Sequence, residues 1–557
     1  MKKVKIISLL ISVALISTAM VGCSSKSKDT DTKGSKDKSP VTLTIFDADL
    51  STDIDFTDPV AKKITEKTGV TLKYTHPVGG DTQAIPLMIA SGTYPDMIYA
   101  KGDTSKLVDA GALEKLDDYI NKDGDNIKKL YGDQLKKLRY SLNDKSIYTV
   151  GTNGVHTATW STSGTLQLQN AVLKDLNYPK IKTIADYENA LKSYLAKNPT
   201  IDGQKTIGMS LVGSESFRWL ITVGNPAGYA AGLPDDGQWY IDDSTQKATY
   251  KFELPEVKTY FKWMNQMNAD GILDPEAFTQ KYDTYISKLS SGRVLGISDA
   301  NWDYGDATKA LIAANKAERT YAPLAVTVDD SKKDPSLKDY GYSGGWGVAI
   351  AKNSKNKERA FQFLDWMASD EAQVLTNWGI EGTNYKVENG KRVIPADELA
   401  KKNSDKDYSK KTGVGLYPYP FPEQGDGAKD STGNYYTTNS EENIAASYNT
   451  AEKETLKAYN AKLWTDLFPT AKDLGGQSKH GQAWEFSIDS SSDLSIIQKK
   501  ADDYVQKAIT QTILGKPADF DSAWNKIQSD LKSMGIQKAD DAMTQLTKDR
   551  ISLWNSK

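Results

Sequence analysis

The order of strand and helix patterns near the start of the chain is the feature that most constrains its fold. β-branched runs at residues 41–46 and 70–74 indicate two strands, and residues 58–67, which open with an Asp-Pro pair, indicate a helix between them. A second helical stretch, interrupted by glycine and proline, follows at 82–100 and ends in a third short strand pattern. Strands that alternate with helices form a parallel sheet with helices on its faces, so the sequence predicts an α/β fold.

The same alternation continues through the rest of the 557 residues. The predicted helices lie at 184–197, 255–269, 355–369, 370–378, 450–466, 493–514, 519–534 and 537–553. The predicted strands lie at 147–150, 207–211, 293–298, 321–325 and 346–350. A chain of this length exceeds what one hydrophobic core usually serves, so we expect at least two lobes. No internal repeat of fixed period is visible in the sequence, which disfavours solenoids and propellers.

The N-terminus has the pattern of a bacterial lipoprotein leader. Three lysines precede an apolar run at 6–21, which is short for a membrane span. The run ends in Gly22-Cys23, which resembles the motif in which the cysteine is lipidated and becomes the new N-terminus. The sequence therefore predicts a signal peptide over 1–22 and a lipid anchor at Cys23. The alternative is a core cysteine behind a signal anchor.

The lipid anchor is followed by a polar segment that ends at residue 40. Residues 24–40 contain no aromatic or branched aliphatic side chain, so they cannot bury enough apolar surface to offset the entropy of ordering. We predict that residues 23–40 are the lipid anchor and a disordered tether. The expected location is the extracellular face of a Gram-positive bacterial membrane, with the lipid as the sole attachment.

Composition excludes several classes of protein. Lysine and arginine number 70 against 73 aspartates and glutamates, and a formal charge of −3 argues against a nucleic-acid partner. The single cysteine excludes a disulfide scaffold, and with three histidines the chain lacks the ligands for the usual zinc cages. The chain nevertheless carries 12 tryptophans and 29 tyrosines. Many flat amphipathic rings and few reactive side chains favour binding over catalysis, and we expect no cofactor.

Five blocks of the sequence form an ordered set of motifs: SGTYPDMI at 91–98, DKSIY at 144–148, SGRVLG at 291–296, GGWGVAI at 344–350 and GIEGTNY at 379–385. In the same order, these blocks resemble motifs of the large extracellular solute-binding proteins of ABC importers. With the C-terminal helices they cover nearly all of residues 41–557. The resemblance is to the longer, oligosaccharide-type subgroup of that family.

The resemblance implies a periplasmic-binding-protein-like α/β fold, in which two hinge-linked lobes close over a ligand. We place the N-terminal lobe at 41–155 plus 336–395 and the C-terminal lobe at 156–335 plus 396–557. The resemblance also implies an ABC transporter permease as the partner, and we expect a monomer. Relatives often carry a calcium loop after the helix that ends here near residue 197, but residues 198–206 offer only one carboxylate, Asp202. Calcium needs six to eight oxygens, so we expect no metal there.

Candidate ligand contacts are aromatic residues in loops beside strand ends, where open α/β sheets bind their ligands. Relatives keep an aromatic sugar platform at the position of Trp302, which follows a predicted strand. The other candidate rings are Trp160, Trp219, Trp346, Tyr417 and Tyr419. The alternative for these rings is packing in the core or beneath a loop. The candidate polar contacts for sugar hydroxyls are Ser91, Asp96, Asn225 and Asp303, and the alternative for Asp96 is a cap after Pro95.

The functional prediction is a lipoprotein that captures an oligosaccharide and delivers it to an ABC permease. A pyranose stacks its apolar face on an aromatic ring and offers hydroxyls to polar side chains. The subgroup and the load of rings suggest a plant-wall xylo- or gluco-oligomer. A receptor for peptides or other polar solutes is the main alternative. A secreted glycoside hydrolase is disfavoured because the sequence contains neither a GxSxG nor an HExxH motif and no block resembles a hydrolase.

Overall fold

The computed structural model describes residues 37–52, 54–78, 83–162 and 164–556. The predicted signal peptide over 1–22, the predicted lipidation at Cys23 and the predicted tether as far as residue 36 lie outside these residues. Among the residues that the structure describes, no helix is both long and apolar enough to cross a membrane.

The first sheet has five strands. In spatial order they are Val70–Thr75, Val41–Asp47, Met97–Tyr99, Val348–Ile350 and Thr149–Val150. The first three strands are parallel, and each of the other two runs antiparallel to its neighbour. Parallel pairing brings carboxyl ends to one edge of the sheet, where Asp47 lies opposite Tyr99.

The second sheet has four strands. In spatial order they are Tyr321–Pro323, Leu166–Gln169, Val294–Ser298 and Ile207–Ser210. The last two are parallel and therefore end at the same edge of this sheet. Three small hairpins lie outside both sheets, at Thr200–Ile201 with Gln204–Lys205, Trp239–Ile241 with Ala248–Tyr250, and Lys386–Glu388 with Lys391–Val393.

Helices connect and cover the strands of both sheets. In chain order the α-helices are Pro59–Thr68, Ala84–Ser91, Thr104–Asp109, Asp117–Asp123, Asp125–Tyr131, Asn170–Asp175, Ile184–Lys197, Ser216–Trp219, Asn225–Ala230, Pro255–Ala269, Tyr282–Ser291, Asn301–Ala313, Lys357–Met367, Asp370–Trp378, Ala396–Ser404, Tyr408–Thr412, Glu441–Ser447, Thr450–Ala458, Asp493–Leu514, Phe520–Met534 and Ile536–Asn555.

Each sheet has its own main hydrophobic core. The core of the first sheet includes Leu43 and Ile45 together with Phe361 and Leu364 from the helix Lys357–Met367. The core of the second sheet is larger and extends into the three C-terminal helices. We call the first sheet with its helices the N-terminal lobe and the second sheet with its helices the C-terminal lobe. The two cores explain how a chain of this length buries its apolar residues.

Residues 408–421 pack in a different lobe from the one predicted for them. Tyr408, Val414, Tyr417 and Phe421 lie in the core of the N-terminal lobe, although the prediction assigned residues 396–557 to the C-terminal lobe. The N-terminal lobe therefore extends beyond residue 395, because these side chains are buried among its core residues. The other boundaries, 41–155 plus 336–395 and 156–335, stay a prediction.

Local signals explain why most elements lie where the sequence predicts them. Asp58 accepts a hydrogen bond from the backbone N–H of Ala61 at 2.9 Å and so caps the helix Pro59–Thr68. Gly69 ends that helix at φ +74°, and a Cβ atom there would lie 2.2 Å from the backbone oxygen of Lys38. Only glycine fits this close approach in the left-handed conformation.

Two expectations about elements are wrong. The predicted helix over 450–466 is a helix only over Thr450–Ala458, because Asn460 adopts φ +55° and the chain resumes as the 3-10 turn Trp464–Leu467. The first sheet is mixed rather than wholly parallel, because the returning strand Val348–Ile350 enters it antiparallel to Met97–Tyr99.

Candidate ligand-binding site

Polar residues follow two neighbouring parallel strands of the N-terminal lobe. Asp47 and Tyr99 end these strands, and Asp49 and Lys101 come two residues later on each chain segment. The ammonium group of Lys101 forms an ion pair with the carboxylate of Asp49. The two strand ends therefore hold an acidic and a basic side chain in direct contact.

Tyr419 completes this edge of the N-terminal lobe. Its hydroxyl donates to the carboxylate of Asp49 and hydrogen-bonds the hydroxyl of Tyr99. Its ring meets the ring of Tyr99 edge-on, with centroids 5.4 Å apart, and 41% of its surface is exposed. Tyr419 was a predicted ligand contact, and the structure places it beside the strand ends.

Two exposed rings of the C-terminal lobe lie next to each other. Trp302, in the first turn of the helix Asn301–Ala313, is 60% exposed, and Phe217 is 51% exposed. Their ring centroids are 6.1 Å apart at an interplanar angle of 33°. Each ring follows the carboxyl end of one of two parallel strands, Val294–Ser298 and Ile207–Ser210. Large rings are seldom this exposed, and a pair of them marks a binding surface.

Lys101 connects the two lobes at this point. Its ammonium nitrogen lies 5.4 Å from the ring centroid of Phe217 and 5.7 Å from that of Trp346. These distances are within the range of cation–π attraction. We call Lys101, Phe217, Trp302, Trp346 and Tyr419 the ring site.

Trp346 lies where the chain returns to the first sheet. Its ring packs against Trp484, with centroids 5.2 Å apart at 60°. The preceding Gly345 has φ +97°, and a Cβ atom there would lie 2.9 Å from the carboxyl carbon of Glu485. Glycine thus allows the two segments to approach. Behind Trp346 lies a cavity of about 250 Å³ that Lys137, Glu485, Arg550 and Trp554 also line, with further residues.

A partly buried ion-pair cluster lies beside the exposed rings of the C-terminal lobe. Arg218 pairs with Glu215 at 2.7 Å and with Asp303 at 3.2 Å, and its guanidinium carbon lies 3.7 Å from the ring centroid of Tyr282. Burial raises the pKa of Asp303, and the charge of Arg218 partly opposes that shift. Asp303, a predicted ligand contact, therefore holds Arg218 and lies beneath the surface.

Three further carboxyl groups near the ring site are buried. Burial raises the pKa of Asp47 to about 6, of Asp299 to about 8 and of Glu485 to about 7. Asp299 accepts hydrogen bonds from the hydroxyl of Tyr285 at 2.9 Å and from a backbone N–H. At most 3% of the surface of each is exposed, so these groups support the site from behind and do not face a ligand.

Three predicted contacts lie in the interior instead. Trp219 is 3% exposed, and its indole N–H donates to the hydroxyl of Thr510 at 3.1 Å. Tyr417 is 1% exposed, and its hydroxyl donates to Asp58. Asn225 is buried and accepts a hydrogen bond at 2.9 Å from the ammonium group of Lys251. Because partners within the protein take up these groups, the structure removes them from the candidate site.

Asp96 and Ser91 have structural partners as well. The carboxylate of Asp96 accepts hydrogen bonds from the backbone N–H and hydroxyl of Thr44, both at 2.9 Å, and from Ser354 and Asn356 at 2.6 and 3.2 Å. Ser91 is exposed and donates to the backbone oxygen of Met88 at 3.2 Å, one turn back in its helix. Asp96 therefore ties a strand to a loop, and Ser91 ends a helix.

Trp160 lies in another ring pair. Its ring meets Tyr435 edge-on at 5.6 Å, and its partly buried surface packs against the C-terminal core. Trp160 stays a prediction as a ligand contact, because its contacts are with Tyr435 and the C-terminal core rather than with the ring site.

The sequence interpretation missed Asp49, Lys101, Phe217 and Trp484. A signal existed for the first two, because both follow β-strand patterns directly and strand ends are where such sheets bind ligands. Phe217 also follows a predicted strand, at 207–211, whereas Trp484 carries no local signal. Only the tertiary fold brings these two rings beside Lys101 and Trp346.

The described residues contain no group of three or more His, Cys, Asp or Glu side chains that could hold a metal ion. In the loop at 198–206, Asp202 forms an ion pair with Lys316 at 2.7 Å. The single carboxylate of this loop is therefore already paired with an ammonium group.

Comparison with known proteins agrees with this architecture. Lipoprotein LipO of Bacillus subtilis (strain 168) is 23% identical over 390 residues, which is 68% of this chain and 73% of LipO. The fructooligosaccharide ABC transporter substrate-binding protein FusA of Streptococcus pneumoniae is 23% identical over 345 residues, 58% of this chain and 60% of FusA.

Solved structures share the fold along nearly the whole chain. The alginate-binding protein AlgQ2 without calcium ion aligns with a TM-score of 0.65 and 17% identity over 92% of this chain and 98% of AlgQ2. FusA in complex with kestose aligns with a TM-score of 0.64 and 17% identity over 91% of this chain and 99% of FusA. The predicted two-lobed α/β class is confirmed.

A family model described as bacterial extracellular solute-binding protein matches residues 60–387. This match spans more than half of the chain and includes strands of both sheets. The chain therefore belongs to the bacterial extracellular solute-binding protein family.

Proposed function

We propose that this protein captures an oligosaccharide at the ring site, between its two lobes, and delivers it to the permease of an ABC importer. The exposed pair Phe217 and Trp302 is the observation that carries the proposal. Flat rings at this exposure suit the apolar face of a sugar, and the carboxylates beside them accept hydrogen bonds from its hydroxyls. Closure of the lobes would be favoured by the greater affinity of the closed form for the ligand.

The names of similar proteins support a sugar ligand over a peptide. FusA is named for fructooligosaccharides and AlgQ2 for alginate. A peptide would need a free cation for its terminal carboxylate, whereas Lys101 and Arg218 both pair with carboxylates of the protein. A plant-wall xylo- or gluco-oligomer remains our specific expectation for the sugar.

Anchoring at Cys23 belongs to the same proposal. Residues 24–40 contain no aromatic or branched aliphatic side chain, a composition that suits a tether between Cys23 and the first strand. The relative LipO carries the name lipoprotein. Attachment by lipid would place a monomeric receptor at the outer membrane surface beside its permease.

The test is the affinity of the mature protein for neutral oligosaccharides, with Trp302→Ala as the variant. Loss of a central exposed ring should weaken binding about 10- to 100-fold, as for aromatic hot spots at interfaces. Because Trp302 is 60% exposed, the melting temperature should not change.

Ile496→Ala is the matched control, since Ile496 is 58% exposed on another helix. Equal affinity of Trp302→Ala and the unaltered protein would remove Trp302 from the site. Shortened products after incubation with long glycans would instead support a hydrolase.

A further inference from the structure

The charged groups at the ring site are paired with each other. Lys101 lies over the ring of Phe217, and Arg218 is the residue that follows Phe217 in the sequence. Lys101 pairs with Asp49, and Arg218 pairs with both Glu215 and Asp303. Each cation is therefore already neutralised by at least one carboxylate of the protein.

The two cations behind Trp346, Lys137 and Arg550, also have partners within the protein. Lys137 donates to the backbone oxygen of Tyr342 at 2.7 Å, and its ammonium nitrogen lies 4.4 Å from the ring centroid of Trp554. Arg550 donates to the backbone oxygens of Ser343 and Glu485. These cations hold the chain segments together on the side of Trp346 that faces the C-terminal helix.

Three more carboxyl groups lie near the rings without forming an ion pair in the described residues. Asp47 accepts from the backbone N–H of Asp49 at 2.9 Å, Asp299 from Tyr285 at 2.9 Å, and Glu485 from the side chain of Asn153. All three side chains are buried, with at most 3% of their surface exposed, so they lie behind the site rather than on its surface. The charged groups that reach the surface are thus paired with each other, Lys101 with Asp49 and Arg218 with Glu215.

We propose that the ring site selects uncharged oligosaccharides and rejects oligosaccharides that contain uronic acids. This inference rests on the proposed function and specifies its ligand. Sugar hydroxyls donate to carboxylates in strong charge-assisted hydrogen bonds. A uronate carboxylate, or the ammonium group of a glucosamine, would lose its water at this site without gaining an unpaired counter-ion, and a buried charge without a partner is costly.

The first test compares three sets of oligomers by calorimetry at low and high salt. They are neutral fructo-, gluco- and xylo-oligosaccharides, oligouronates from alginate and polygalacturonate, and glucosamine oligomers. We expect the tightest binding from a neutral set, an affinity that changes little with salt, and oligouronate binding at least 100-fold weaker.

The outcomes distinguish failure of this inference from failure of the proposed function. Oligouronate or glucosamine oligomers that bind as tightly as the neutral set would overturn the inference and leave the proposed function standing. Absence of binding by every glycan would refute the proposed function, and the inference with it.

The second test removes the carboxylate partner of one cation at the ring site. Asp49→Asn removes the carboxylate partner of Lys101, so affinity for oligouronates should rise about 10-fold relative to the unaltered protein. The matched control is Asp175→Asn, which frees Lys197 from a 2.8 Å ion pair on the C-terminal lobe. Melting curves check that both variants fold. An unchanged oligouronate affinity in folded Asp49→Asn would contradict the electrostatic reason for selectivity.

Discussion

Asp96 is a predicted ligand contact whose hydrogen bonds instead indicate a structural role. Its carboxylate accepts four hydrogen bonds that join the strand Val41–Asp47, through Thr44, to the loop that contains Ser354 and Asn356. We expect Asp96→Ala to destabilise the N-terminal lobe and to leave ligand affinity unchanged.

The magnitude follows from the partners that lose their acceptor. A hydrogen bond to a charged group contributes about 1.5–3 kcal/mol. Ser354 and Asn356 belong to a loop and can turn to water, so we count only the two bonds to Thr44, which lies in a central strand. Taking the lower value for a partly exposed carboxylate, the loss is about 3 kcal/mol.

The effect should depend on pH with a definite sign. Burial alone would raise the pKa of Asp96, but the hydrogen bonds from Ser354, Thr44 and Asn356 outweigh it and lower the pKa below its usual value. A carboxyl group with a lowered pKa contributes stability above its unfolded pKa of about 3.9, and that contribution is lost as the pH falls further. The difference between Asp96→Ala and the unaltered protein should therefore be full near pH 7 and shrink below pH 4.

Urea unfolding at pH 7 and pH 3.5, with calorimetry of ligand binding, is the assay. The urea midpoint of Asp96→Ala should fall while the slope stays constant. Ser91→Ala, which removes one exposed hydroxyl from the same sequence block, is the control and should change neither quantity. Asp96→Ala with normal stability and lost ligand affinity would refute the structural reading of this residue.

Two other predictions concern charge and metal. Burial raises the pKa of Glu485 to about 7, against about 4.3 in an unfolded chain, so this group makes the folded state lose stability as the pH rises from about 4.3 to 7. Glu485→Gln should therefore gain stability relative to the unaltered protein between pH 5 and pH 8 in thermal melts, and a constant difference would contradict the buried carboxyl. EDTA should leave the melting temperature unchanged, because Asp202 pairs with Lys316 and the described residues contain no cluster suited to a metal. A fall of several degrees with EDTA, reversed by calcium, would show a metal that the sequence reading missed.

Much of the secondary structure could be predicted because its signals are local. The helices Ile184–Lys197, Pro255–Ala269 and Asp493–Leu514 begin and end where the sequence places them. Thr183 caps the first of these with its own hydroxyl, and a proline opens the second. Caps, prolines and apolar periodicity act over a few residues, so the sequence alone is enough to locate such elements.

The choice between site and core for each aromatic residue was decided by the tertiary structure. Trp219 and Trp302 both follow strands with polar neighbours, yet Trp219 is buried and bonds to Thr510, 291 residues away, whereas Trp302 is exposed. No local pattern reports a contact at that separation. The sequence by itself determined the α/β class and the family resemblance, and it predicted three rings of the site, Trp302, Trp346 and Tyr419. The fold decided which rings share a surface and which charges are paired, because both depend on segments that meet only after the chain has crossed between its lobes.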